Sequence, residues 1–178
     1  MSLERRFGAQ VTWLPFDLHP EYPPEGLPRQ QLIERYGPEM TERMREFFAA
    51  RGLDYNPHPD VVPNTLSALR LTELARDLGK HAEVHDRFMD AYWDEAQNIG
   101  DADVLRKLAV EVGLPADEVD GVLGSDRYRD RVVDSTRQAV GVGANAVPAF
   151  VLDQRLLVLG AQPEAVFERA FAQLEEEK

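Results

Sequence analysis

Apolar positions change their spacing twice along the chain. Over residues 11–18, Val11, Trp13 and Pro15 alternate with Leu14, Phe16 and Leu18, and this period of two in β-branched and aromatic residues predicts a strand. Pro15 cannot donate to a ladder, so that strand belongs at an edge or carries a bulge. Residues 19–28, punctuated by Pro20, Pro23, Pro24, Gly26 and Pro28, read as a connecting loop. From Arg29 the spacing becomes three and four. Leu32, Ile33, Tyr36 and Met40, then Met44, Phe47 and Phe48, predict helices broken at Gly37 and Pro38. Residues 56–59 read as another loop.

The middle of the chain continues in the helical period. Leu66, Leu69, Leu74 and Leu78 predict a helix over 64–78 closed by Gly79, and Val84, Phe88, Tyr92 and Trp93 give the next, over 80–96, an apolar side. Asp101 is placed to N-cap a helix whose face is Leu105, Leu108, Ala109 and Val112, ended by Gly113. Helical turns at 116–123 and a longer helix at about 126–140 complete the block. The period then returns to strand. Residues 147–152 and 156–159, separated by Asp153, Gln154 and Arg155, predict a β-hairpin, and Pro163 opens a last helix carrying Val166, Phe167, Ala170, Phe171 and Leu174.

Charge narrows the partners. The 178 residues hold 32 Asp and Glu against 20 Lys and Arg, a formal net charge of -12, which disfavours nucleic acid and anionic membrane surfaces. No apolar run is long enough to span a bilayer, and the first residues reach charge before any signal-peptide core, so the expected location is the cytoplasm. The chain contains no cysteine. Its own residues therefore supply no disulfide, thiolate zinc site, iron–sulfur cluster or cysteine nucleophile.

Candidate chemistry is sparse. His81 and His85 stand four apart on one helix face, a spacing compatible with metal ligation, but Ala82 and Val84 occupy the positions where the helical zinc-protease motifs need glutamate, and a solvated surface is the favoured reading; no metal is assigned. Gly141-Val-Gly143-Ala-Asn-Ala146 follows a helix and precedes a strand, the reverse of a dinucleotide-binding loop, and reads as a helix end. Asp126, Asp130 and Asp134 interleaved with Arg127, Arg129 and Arg131 read as an exposed, salt-laced helix. Trp13 and Trp93 are assigned to core. Pro148 at the head of a strand marks a special backbone position, which local sequence leaves open between cis and trans.

The segments Trp13-Leu-Pro-Phe-Asp-Leu-His-Pro20, Pro63-Asn-Thr65, Ala91-Tyr-Trp93, Asn98-Ile-Gly-Asp101, Val147-Pro-Ala-Phe150 and Gly160-Ala-Gln-Pro163 occur in the order found in DsbA-like thioredoxin-fold oxidoreductases. The chain resembles the FrnE branch of that family, with 2-hydroxychromene-2-carboxylate isomerase and kappa-class glutathione transferase as cousins. The resemblance implies an α/β protein, helix-rich overall: an incomplete thioredoxin-like core at 9–28 and 142–178 with an all-helical insertion at 29–141, in one compact unit. It implies that Pro148 is cis, that the backbone of Val147 pairs with substrate, and that Asn64, Ala161 and Gln162 line the same cleft. The substrate so implied is a polypeptide or a small molecule, and no cofactor is expected. Glutathione is disfavoured, because Ala161 and Gln162 stand where the kappa class has Ser-Asp.

One departure is large. Family members place a strand and a C-x-x-C motif opening a helix before the segment matching 11–18, and only ten residues precede Val11 in this sequence. Either the natural protein carries that dithiol upstream of this sequence, or the protein is a non-redox relative that binds without turnover; a glutathione-dependent, isomerase-like protein is a third reading. As written, the chain is expected to be inactive in thiol–disulfide exchange, which needs a thiolate. In the thioredoxin arrangement the missing strand lies between 11–18 and 147–152, and an apolar edge left open there predicts a homodimer or a displaced N-terminal strand.

Overall fold

The computed structural model describes residues 3–37, 39–50, 52, 53, 55 and 59–176; Pro38 of the expected helix break and residues 56–58 of the expected loop lie outside the described residues. The described elements run α1 (Leu3–Phe7), β1 (Leu27–Pro28), α2 (Arg29–Tyr36), α3 (Glu39–Ala49), β2 (Val61–Val62), α4 (Leu66–Asp77), α5 (His81–Trp93), α6 (Ala102–Glu111), α7 (Ala116–Leu123), α8 (Arg129–Gly141), β3 (Ala149–Leu152), β4 (Leu156–Leu159) and α9 (Glu164–Glu176). They fall into two compact units, 19–132 and 1–18 with 133–178.

In the helical unit, α4 to α7 enclose a continuous apolar core. Leu71, Leu74 and Ala75 of α4 meet Val84, Phe88 and Ala91 of α5, Leu105 and Leu108 of α6, and Val119 and Val122 of α7, all buried. The helix ends follow from local chemistry. Asp101 accepts hydrogen bonds from the Asp103 and Val104 amides at 2.8 and 3.1 Å, satisfying donors that the first turn of α6 leaves open. At the end of α4, Gly79 takes φ +70°, which lets the Lys80 amide reach back to the Ala75 carbonyl at 2.8 Å. The same reach closes α6, from Leu114 to Ala109, and α8, from Ala144 to Ala139. The expected reading of 141–146 as a helix end is thus what the structure shows.

A short antiparallel ladder, Leu27 with Val62 and Pro28 with Val61, ties the segment before α2 to the segment before α4. At Gly26 a Cβ would lie 2.5 Å from the Val62 carbonyl oxygen, so the ladder can begin there only without a side chain. This pairing places 19–28 in the helical unit, where sequence reading assigned it to the thioredoxin-like core. By compactness the chain divides at 18/19 and 132/133.

The second unit is built around the β3–β4 hairpin and α9. Ala149 pairs with Leu159, Phe150 with Val158, Val151 with Leu157 and Leu152 with Leu156. Asp153 and Gln154 both take positive φ, as the primed hairpin turns require. Leu152, Val158, Phe167 and Leu174 form the core together with Leu3, and the Phe7 ring stacks on Phe171 with centroids 4.3 Å apart. Arg6 adds ion pairs to Glu164 and Glu168 of α9.

The expected strand over 11–18 does not form. Two of its backbone groups are taken by α8: the Ser135 hydroxyl donates to the Pro15 carbonyl at 2.7 Å, and the Asp17 amide donates to the Thr136 hydroxyl at 2.9 Å. Side-chain hydroxyls replace ladder partners, and Pro15, which has no amide proton, is buried without cost to a ladder. Trp13, assigned to core by sequence, is 58% exposed, whereas Trp93 is half-buried against Tyr92 and Phe48.

The exposed, salt-laced reading of Asp126, Arg127, Arg129, Asp130, Arg131 and Asp134 holds, for all six are exposed, and several of their ion pairs reach other helices. Arg129 pairs locally with Asp126 at 3.6 Å and Arg137 with Asp134 at 2.7 Å, but Arg131 reaches α4, at 2.8 Å from Asp77 and 3.4 Å from Glu73, and Arg127 reaches Glu118 of α7 at 2.5 Å. The helix is packed on one side, and Val132 is buried. Arg131 donates to the Asp77 carboxylate, as does the Tyr128 hydroxyl, and the guanidinium contact holds Asp77 below the usual carboxylate range.

Candidate functional site

Four of the five residues that sequence reading placed at a site come together at one end of the hairpin. The Val147–Pro148 peptide bond is cis, and the Pro148 carbonyl accepts a hydrogen bond from Gly160 at 2.7 Å, one step beyond the Ala149–Leu159 pair. That bond sets the turn holding Ala161 and Gln162 beside the head of β3. Gln162 is held by its own turn: its side-chain amide donates to the Leu159 carbonyl at 2.7 Å and its backbone amide to Gly160 at 2.9 Å. Ala161 and Gln162 are exposed, and Val147 is 51% exposed.

β3 is paired on one side only. Its sheet contains β3 and β4 alone, so its outer edge has no partner strand among the described residues. Unpaired N–H and C=O groups along such an edge are the template on which another extended chain adds. Val151 of this strand and Val147, two residues before it, are both half-exposed.

Asn64 lies in the helical unit, and both ends of its amide are committed there. Nδ2 donates to the Tyr22 carbonyl at 2.7 Å, and Oδ1 accepts from the Leu66 amide at 3.0 Å at the start of α4. The loop it anchors is ordered by its own contacts: His19 stacks on Tyr22 with centroids 4.4 Å apart and approaches Glu21 at 3.0 Å. A backbone hydrogen bond and His19 lower the Glu21 carboxyl from its ordinary value, and burial raises the Tyr22 phenol. Sequence reading left 19–22 as plain connection; a His and a Tyr three apart around a proline were the only signal of this stacking.

The chain contains no sulfhydryl, and no group of three or more His, Cys, Asp and Glu side chains able to hold a metal forms among the described residues. Among the same residues no helix is long and apolar enough to cross a membrane. Two buried charges serve architecture. Arg70 donates to the carbonyls of Arg127, at 2.8 Å, and of Val122 and Ser125, where α7 ends. Glu73, 2% exposed, lies between Arg76 at 3.1 Å and Arg131 at 3.4 Å.

A hairpin headed by a cis-proline and, in the same chain, a unit of packed helices are features of the helix-rich thioredoxin-like class. The family of DSBA-like thioredoxin domains matches residues 2–172, and the chain belongs to that family. It is 30% identical over 174 residues to an uncharacterized protein, YwbO, of Bacillus subtilis (strain 168), covering 96% of this chain and 84% of that protein. The crystal structure of the probable DsbA oxidoreductase SCO1869 from Streptomyces coelicolor matches it with a TM-score of 0.85 at 32% identity, over 98% of this chain and 79% of that one.

Proposed function

We propose that this chain is the substrate-holding frame of a DsbA-type thiol–disulfide oxidoreductase of the FrnE branch, and that these 178 residues perform no exchange by themselves. Exchange proceeds by attack of a thiolate on a disulfide sulfur through a mixed disulfide. The sequence holds four methionines and no cysteine, and a thioether has no proton to lose and forms no mixed disulfide. What remains is recognition. The open edge of β3 is the observation that carries this reading: Val147 presents its backbone at the head of the strand, and an extended polypeptide pairs there by strand addition. Ala161 and Gln162 flank it.

Two measurements test the reading. In an insulin-reduction assay the 178-residue chain gives no turnover above a protein-free blank; turnover above it overturns the first half. In fluorescence anisotropy, a labelled, cysteine-free, unfolded peptide binds the chain, and Val147→Pro, which removes an amide proton at the edge, weakens binding by about tenfold, one hydrogen bond and the geometry around it. Val140→Ser, at an exposed position on α8, leaves binding unchanged. Equal binding by the Val147 variant overturns the second half.

A further inference from the structure

His81 and His85 lie on the partly exposed side of α5, the solvated helix surface that the sequence favours. Both imidazoles are half-buried on α5, one turn apart, with ring centroids separated by 5.8 Å and planes within 15° of parallel. Two imidazoles on one tetrahedral ion, each about 2.0–2.1 Å from the metal through nitrogen, have centroids roughly 5 Å apart. The separation is close to that of a shared ion, and rotating both near-parallel rings until a nitrogen of each faces one point brings the pair onto it. Of the charged groups nearby, Glu73 of α4 is paired with Arg76 and Arg131, and Asp86 of α5 lies 3.4 Å from the His85 Nδ1. α5 also begins without a side-chain cap, at Lys80, so its first turn gains from a cross-link to the second.

We propose that His81 and His85 form a two-imidazole site for a late first-row divalent cation, with water completing the coordination. Nitrogen donors of this type bind Cu2+ more tightly than Ni2+ or Zn2+. Neither histidine belongs to the hairpin unit or to the residues of the proposed substrate edge. The site therefore stands whether or not the oxidoreductase frame assigned above is correct.

The experiment uses the full 178-residue chain, purified without a histidine tag, and Cu2+ alone as probe. Electron paramagnetic resonance of the bound ion is expected to show coupling to nitrogen from both imidazoles. His81→Gln and His85→Gln each reduce that coupling to one imidazole and weaken binding by about tenfold or more. His19→Gln, on the loop before β1, changes neither. Circular dichroism and metal-free melting curves matching the parent chain show that the variants fold; if one does not, the other single variant carries the test. A parent spectrum with one imidazole or none, or binding of equal strength by the doubly substituted chain, overturns the proposal.

Discussion

Arg70→Met is expected to lower the stability of the helical unit by about 3 kcal/mol or more, read as a fall in the urea midpoint with the slope unchanged. Arg70 is buried on α4, and its guanidinium is the charged donor to three carbonyls, those of Val122, Ser125 and Arg127. Methionine fills much of the volume but donates nothing, and buried acceptors that lose a donor also lose the water they gave up on folding. Burial is the first cause lowering the Arg70 pKa, which is the same desolvation seen from the guanidinium side. Arg70→Lys separates charge from geometry. A single ammonium on a flexible stem cannot span three carbonyls as a planar fork does, so lysine is expected to recover only part of the loss. Full recovery by lysine would show that charge alone matters there.

Phe88→Ala is expected to cost about 3–5 kcal/mol, also in denaturant unfolding. Phe88 is 1% exposed and lies in the middle of the α4–α7 core, among the largest fully buried side chains of the chain. Its neighbours come from four helices, so collapse around the missing ring would require several backbones to move together. A loss below about 1 kcal/mol would mean that the core repacks far more freely than close-packed interiors do. Phe88→Leu keeps most of the volume and is expected to fall between alanine and the parent residue.

The helical elements were legible in the sequence because their information is local. Asp101 followed by a helical period, and Gly79 and Gly113 after the last apolar residue, each specify a boundary through bonds made within a few residues, and the structure places those caps as expected. The hairpin was legible for the same reason: two apolar runs stood on either side of a three-residue turn. Residues 11–18 were misread because their alternation states only that the segment has two faces. Whether a ladder forms depends on a free edge elsewhere, and here Ser135 and Thr136 of α8 take two of the segment's backbone groups instead. α1 gave no usable period at five residues, and it is held by the Phe7–Phe171 stack and the Arg6 ion pairs, contacts about 160 residues away in sequence. Of the candidate site residues, Pro148 stood out locally at the head of a strand, whereas Val147, Ala161 and Gln162 came from resemblance rather than pattern. Asn64 was found in the same way, but its hydrogen bonds to Tyr22 and Leu66 show an amide occupied in holding a loop, which no residue count along the chain could reveal.

The two-stranded form of the β3–β4 hairpin gives its amide protons two lifetimes. In an antiparallel pair, alternate residues turn their N–H groups toward the partner strand and the rest turn them away. With β4 on one side and no strand on the other among the described residues, the inward protons of β3 exchange with solvent only when the hairpin opens, and the outward ones are lost from the folded molecule itself. Fast and slow exchange thus alternate residue by residue along Ala149–Leu152, and any chain that adds to the open edge would abolish the alternation by slowing the fast half.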